Sequence, residues 1–147
     1  MVIFLIKYLK MKSSLYRNLF ILLLTFSVSS TMAQFSSVNK TKEFCIKSLK
    51  ANNIDDFVST FSNPIEISLP DQENSYSKVQ AGMVIRKFLN NNKVDSFTLK
   101  QSGKSTGGSE FIIGNMKSVN GKEYQIYFLF TMIDNKAFLH LIEFELL

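Results

Sequence analysis

The last third of the chain constrains the fold most, because it has the pattern of three long strands joined by two short turns. Asn120-Gly121 and Asp134-Asn135 are residue pairs that tolerate the positive φ angles of a two-residue hairpin turn, the first as type I′. The segments 111–113, 124–133 and 137–147 are rich in the aromatic and β-branched residues that favour strands. This region therefore predicts successive antiparallel hairpins, which helices from the preceding sequence would cover.

The N-terminus has the pattern of a secretory signal peptide. Basic residues up to Arg17 precede an apolar run from Leu19 to Val28, which is half as long as the ~20 residues that span a bilayer. Small residues follow, as signal peptidase requires. We therefore predict a signal peptide over residues 1–33, cleavage between Ala33 and Gln34, and one exported domain over residues 34–147. The protein would then be periplasmic or secreted.

The charge balance argues against a nucleic-acid partner. The whole chain has 17 Lys and Arg residues against 12 Asp and Glu residues. Four of the cations and none of the acids precede residue 34, so the exported part carries 13 against 12 and is nearly neutral. No nucleic acid is predicted as a partner, and no membrane once the signal has been removed. Cys45 is the single cysteine, so the chain cannot form an intramolecular disulfide.

Two helices are predicted directly after the signal peptide. Apolar residues at helical spacing mark Val38–Asn52, where Cys45 falls on the apolar stripe and is interpreted as a small buried hydrophobe. Asn53 is placed to cap a second, short helix, and Pro64 would stop it. These helices would lie over one face of the sheet.

A strand, a third helix and four strands complete the predicted order. Residues 65–69 alternate as a half-buried strand does, whereas the polar residues 71–75 predict a loop. Ser77 and Gln80 form a capping box at the start of the third helix, and residues 94–101 predict the next strand. The fold class is therefore α+β, with N-terminal helices packed on a curved antiparallel sheet.

A short segment, Gly103-Lys104-Ser105, has the residues that end a phosphate-binding P-loop. The full motif also needs a glycine where Thr98 stands and a helix after the serine, but strands are predicted on both sides. Nucleotide binding is therefore not predicted. No other pattern indicates a cofactor.

Tyr127 and His140 are the candidate ligand-binding residues. If both hairpins have two-residue turns, His140 lies beside Leu129, with Tyr127 diagonal to it. In this register Glu143 projects to the opposite face, so no carboxylate orients the histidine as a general base or completes a metal site. We predict no catalytic residue and no metal site. A structural histidine is favoured over a polar contact in a ligand pocket.

Both faces of the predicted hairpins are apolar at mid-strand. The large apolar side chains are Phe128, Phe130 and Leu139 on one face, and Tyr127, Leu129, Phe138 and Ile142 on the other. Three helices of modest length can cover only one face, and the other would exceed the few hundred Å² that soluble monomers usually expose. A homodimer across the uncovered face is therefore predicted. A small apolar ligand is an alternative partner.

Several short motifs between Tyr76 and Glu145 occur together. They are Tyr76-Ser77 with Gln80-Ala81, Arg86-Lys87-Phe88-Leu89, Ser96-Phe97, Gly103, Ile113-Gly114 and the aromatic penultimate strand. As a set they resemble a family of short exported bacterial proteins, the domain-of-unknown-function family 4783. The resemblance implies a nuclear transport factor 2-like (cystatin-like) fold, in which helices and a curved sheet form a cone. It implies no established activity.

Two hypotheses about function remain open at this point. The first is a non-catalytic ligand-binding or protein-interaction module. The second is an isomerase- or dehydratase-like enzyme that uses the cone pocket, as some relatives of this fold do. An enzyme of that kind needs an acid–base pair in the pocket, and the sequence offers no evident pairing of histidine and carboxylate. The sequence therefore favours the first hypothesis.

Overall fold

Helices cover one face of a curved sheet in residues 37–147, which are the residues that the computed structural model describes. Helix α1 runs through residues 37–50, α2 is Ile54–Ser59 and α3 is Lys78–Asn91. None of the described helices is long and apolar enough to cross a membrane. The predicted signal peptide, with its cleavage site between Ala33 and Gln34, lies outside the described residues.

Within residues 37–147, the sheet has six strands in the order β2-β1-β6-β5-β4-β3. They are β1 Phe61–Leu69, β2 Gln72–Tyr76, β3 Val94–Lys104, β4 Glu110–Ser118, β5 Glu123–Ile133 and β6 Lys136–Leu146. The four C-terminal strands are antiparallel, as predicted, but β1 runs parallel to β6. The sheet is therefore mixed, and the prediction of a purely antiparallel sheet is wrong in this one pair. Residue alternation indicates which face of a strand is buried but not the direction of its neighbour.

The sequence signals for the helix starts are confirmed. The Asn53 side chain accepts a backbone hydrogen bond at the start of α2. Ser77 and Gln80 form the predicted capping box of α3, each side chain bonded to the backbone of the other. Pro64, however, does not stop α2, which already ends at Ser59. The proline lies within β1 instead.

Strand β2 occupies the segment that was predicted to be a loop. It pairs with β1, and Leu69 lies opposite Gln72, so Pro70-Asp71 alone connects the two strands. Four of its five side chains are exposed, as is common for a short strand at the edge of a sheet. Alternation of apolar residues could not reveal this strand, because backbone pairing defines it and burial does not.

The core lies between the helices and one face of the sheet. Phe57 of α2 is fully buried and contacts the rings of Phe61 and Phe128, with centroids 5.2 and 5.9 Å away. The apolar stripe of α1 is buried as predicted, and Cys45 on it is completely inaccessible. Burial raises the pKa of the Cys45 thiol, which keeps it protonated and unreactive.

Candidate interaction surface

The connection between β4 and β5 decides which side chains share a face of the sheet. Gly121 alone has a positive φ angle there, 88°, and its N–H donates to the Ser118 carbonyl at 2.9 Å. The connection is a three-residue loop with a glycine bulge, so the predicted two-residue type I′ turn at Asn120-Gly121 is wrong. The register consequently moves by one residue, and Ile112 lies opposite Phe128.

The pairing of β5 with β6 contains a second irregularity, a bulge at His140. Asp134 and Asn135 have positive φ angles of 48° and 62°, and they form the two-residue turn as predicted. Further along the hairpin, Leu129 lies opposite Leu141, which makes His140 an extra residue in β6. The prediction that His140 lies beside Leu129 is therefore wrong by one residue.

The bulge resets the alternation of buried side chains along β6. Leu139 and Ile142 are three residues apart, which in a regular strand would place them on opposite faces, yet both are completely buried. Ile142 therefore belongs to the core, and Leu141 takes the position on the opposite face that was predicted for Ile142. Core side chains thus lie on both sides of His140.

An apolar patch covers the middle of the sheet face that is turned away from the helices. Buried side chains in β4 and β5 alternate with half-buried ones, and apolar half-buried ones form this patch together with two side chains of β6. The Tyr127 ring stacks on the Phe111 ring, with centroids 6.0 Å apart and planes inclined by 19°. The outer patch, as we call it, consists of Phe111, Ile113, Tyr127, Leu129, Phe138 and Leu141.

His140, one of the two predicted ligand contacts, is bonded to a serine in β1. Its Nδ1 atom lies 3.1 Å from Ser62 Oγ, and the Ser62 hydroxyl donates to the Pro64 carbonyl at 2.6 Å. Because the hydroxyl proton is used in that bond, the Ser62 oxygen can only accept from the histidine. His140 Nδ1 therefore carries a proton and donates it to Ser62 Oγ. Ser62 is buried, so the pair ties β1 to the bulge of β6. This contact supports the structural interpretation of the histidine.

Tyr127, the other predicted ligand contact, belongs to the outer patch. It lies opposite Ile113 in β4 and Glu143 in β6, and paired residues project to the same side of a sheet. The prediction that Glu143 projects to the other face is therefore wrong, because the bulge changes the register beyond His140. Glu143 is exposed at the polar end of the patch. Among the described residues, no three His, Cys, Asp or Glu side chains could together hold a metal.

The sequence pointed to Tyr127 and His140 as candidates but gave no sign of a role for Ser62 or Leu141. Ser62 is 78 residues from His140, and no local pattern indicates a contact over that separation. Ile142 was predicted on the outer face in place of Leu141, because a bulge leaves no mark on apolar alternation. The structure brings Tyr127 into the patch and bonds His140 to Ser62.

His140→Gln is expected to leave the fold intact, because a glutamine amide can also donate to Ser62 Oγ. We expect urea denaturation to show a decrease of no more than about 1.5 kcal/mol in the free energy of unfolding. Ser62→Ala is the contrasting variant, since it removes this hydrogen bond and also the bond of the hydroxyl to the Pro64 carbonyl. An activity that His140→Gln abolishes without changing stability would contradict the structural role.

With the geometry established, comparison with known proteins identifies the family. The sequence profile of the domain of unknown function DUF4783 matches residues 42–145. This chain belongs to the DUF4783 family. Two DUF4783 crystal structures, from Bacteroides uniformis ATCC 8492 and Bacteroides fragilis YCH46, are each 22% identical to it, with TM-scores of 0.66 and 0.65. They cover 71% of this chain and 95% and 96% of their own chains, respectively.

A third crystal structure has a similar fold. An NTF2-like protein of unknown function from Cytophaga hutchinsonii is 11% identical and has a TM-score of 0.55. The match covers 74% of this chain and 88% of that one. No curated protein matches the chain. The predicted family and the predicted nuclear transport factor 2-like fold are both confirmed.

Two glycines among the DUF4783 motifs each lie beneath an aromatic ring. A Cβ atom at Gly103 would lie 2.9 Å from the ring of Phe111, its partner across the strands. A Cβ atom at Gly114 would lie 2.3 Å from the ring of Phe97, on the core face. Glycine at position 103 therefore lets Phe111 lie flat against β3, which positions one edge of the outer patch.

Proposed function

We propose that this DUF4783 domain is a non-catalytic interaction module that pairs with a second copy of itself through the outer patch. The observation that carries the proposal is the patch itself: six large apolar side chains that remain half-buried and contiguous on the central strands. Contiguous apolar side chains rimmed by polar residues are typical of interaction sites on soluble proteins. Two copies related by a twofold axis would bury it isologously.

The composition of the outer patch matches the centre of an interface between proteins. Its aromatic members Phe111 and Tyr127 are already held rigid by stacking, so little side-chain entropy is lost when a partner covers them. Asn115, Gln125 and Glu143 provide a polar rim on the same side of the sheet. A stable pair would bury more than about 1,000 Å² in total.

The alternative is an isomerase- or dehydratase-like enzyme, which needs acid–base groups inside the cone. The space between helices and sheet holds the packed rings of Phe57, Phe61 and Phe128, each at most 1% exposed. The imidazole of His140 is bonded to Ser62 instead of to a carboxylate. These contacts support an interaction module better than an enzyme.

Static light scattering on the chain from Gln34 onwards tests the proposed pairing. At tens of micromolar the molar mass should be twice that of one chain, and it should decrease on dilution as a reversible dimer requires. A mass equal to one chain throughout would contradict the dimer. In that case a small apolar ligand would be the remaining occupant of the outer patch, and an apolar fluorescent dye would test it.

We also propose that the domain works outside the cytoplasm, after removal of its signal peptide. The support is the basic start, the short apolar run and the small residues before Gln34. Mass spectrometry of the protein exported by a bacterial host should give an N-terminus at or beside Gln34. Recovery of an unprocessed chain in a membrane fraction, beginning at Met1 or at Met11 as a second possible start, would contradict this prediction.

A further inference from the structure

A cleft on the helix side of the domain lies apart from the outer patch. It has a volume of about 420 Å³ and lies between α3, the turn that joins β1 to β2, and the loop that joins β4 to β5. This volume is within the range of small-molecule sites, roughly 300–1,000 Å³. The cleft therefore has room for a ligand of the size of one sugar unit.

The floor of the cleft is aromatic. Phe88 of α3 is half-buried, and its ring is fixed from below by Tyr124 and Phe144, with centroids 5.4 and 4.8 Å away. The accessible part of the ring offers an apolar surface to the cleft. A ligand with a flat C–H face can pack on such a ring.

The walls of the cleft are held in place by hydrogen bonds. Asn120 Nδ2 donates to the Asn91 carbonyl at 2.8 Å and to Asn92 Oδ1 at 3.0 Å, which fixes the β4–β5 loop against the end of α3. The Tyr124 hydroxyl donates to the same Asn92 oxygen at 2.9 Å. The cleft is therefore formed before any ligand binds, which reduces the entropic cost of binding.

Five exposed polar side chains line the cleft, and their donors and acceptors are open to solvent or to a ligand. They are Asp71, Gln72, Lys87, Asn91 and Lys122. Within the described part of the chain, none of these side chains forms a hydrogen bond or an ion pair. They comprise two ammonium groups, one carboxylate and two amides, so donors and acceptors surround the aromatic floor. A ligand that satisfies them carries both hydroxyl groups and a negative charge.

We propose that the cleft binds a sugar acid, that is, a pyranose with one carboxylate. The carboxylate would pair with Lys87 and Lys122, the hydroxyls with Gln72 and Asn91, and the C–H face would pack on Phe88. A compact inorganic anion fits less well, because it would use none of the apolar floor. A neutral sugar would leave both ammonium groups without a partner. This inference goes beyond the proposed pairing and uses a different surface.

Titration of the ¹⁵N-labelled exported chain with sodium glucuronate tests the proposal. Saturable amide shifts are expected at Lys87, Asn91 and Lys122. Glucose is the probe for the sugar ring and sodium acetate the probe for the carboxylate. Each should bind about tenfold more weakly than glucuronate, since each forms only part of the contacts. No saturable shift with glucuronate up to about 50 mM would overturn the proposal. Equal affinity for acetate and glucuronate would also overturn it, since only the lysines would then be recognised.

Two variants and a control make the assignment specific. Lys87→Gln and Lys122→Gln should each weaken glucuronate binding severalfold, whereas Lys100→Gln, at an exposed site on β3, should not. Equal effects of all three changes would contradict the site. Leu129→Lys, in the outer patch, should leave glucuronate binding unchanged. Failure of the sugar-acid proposal is therefore distinguishable from failure of the proposed dimer.

Discussion

Leu129→Lys is expected to separate the proposed dimer into folded monomers. Leu129 is half-buried at the centre of the outer patch, opposite Phe111 on one side and Leu141 on the other. Within a dimer the new ammonium would be buried without a partner, which costs several kcal/mol. In a monomer the flexible lysine stem can carry the charge into water. We expect the dimer dissociation constant to rise more than about 100-fold, which corresponds to roughly 3 kcal/mol.

The neighbouring residue supplies the matched control for this prediction. Phe128 is completely buried and contacts the rings of Phe57 and Phe97 in the core, so Phe128→Lys should prevent folding altogether. Gln125→Lys adds the same charge to the rim of the outer face and should leave the dimer intact. Circular dichroism and light scattering together separate the three outcomes. If Leu129→Lys unfolds the chain as Phe128→Lys does, the assignment of faces is wrong.

Gly114→Ala is expected to destabilise the domain strongly. The added Cβ would lie 2.3 Å from a ring carbon of Phe97 and 2.9 Å from the Thr98 carbonyl oxygen. The ring could turn aside, but the backbone oxygen of β3 cannot move without disturbing the strand. Overpacking of this kind costs about 1–3 kcal/mol and occasionally more, and we expect the upper end of that range in urea denaturation.

Gly82→Ala is the control for a glycine that faces no such obstacle. Its Cβ would be 3.4 Å from the Val58 side chain, an ordinary contact distance. Alanine also favours the interior of α3 over glycine, by up to about 1 kcal/mol, so this change should be neutral or stabilising. Equal losses of stability for Gly82→Ala and Gly114→Ala would contradict the account of Gly114.

The parts of the fold that the sequence predicted depend on local chemistry. The cap at Asn53 and the capping box of Ser77 and Gln80 form between residues three apart, and the turn at Asp134-Asn135 needs only two adjacent residues. Apolar spacing also predicted that Cys45 is buried. The residues that determine such features lie within a few helical turns or one hairpin of each other.

Register could not be predicted in the same way. The side-chain period of a strand is two, so a single extra residue reverses every face beyond it. The three-residue loop at Gly121 and the bulge at His140 each add one such residue, and the bulge places Leu141 instead of Ile142 in the patch. The bond between His140 and Ser62 joins strands distant in sequence, and only the parallel pairing of β1 with β6 brings the two residues together.

Isotope-filtered NOE spectroscopy on a mixed dimer tests the central claim, that the outer patch is where the domain meets its partner. One copy would carry ¹³C-labelled leucine methyls, and the other would be unlabelled. We predict intermolecular NOEs between the methyls of Leu129 and Leu141 and the rings of Phe111 and Tyr127. Intermolecular NOEs confined to the helices, or none at concentrations where the mass is that of a dimer, would contradict the claim.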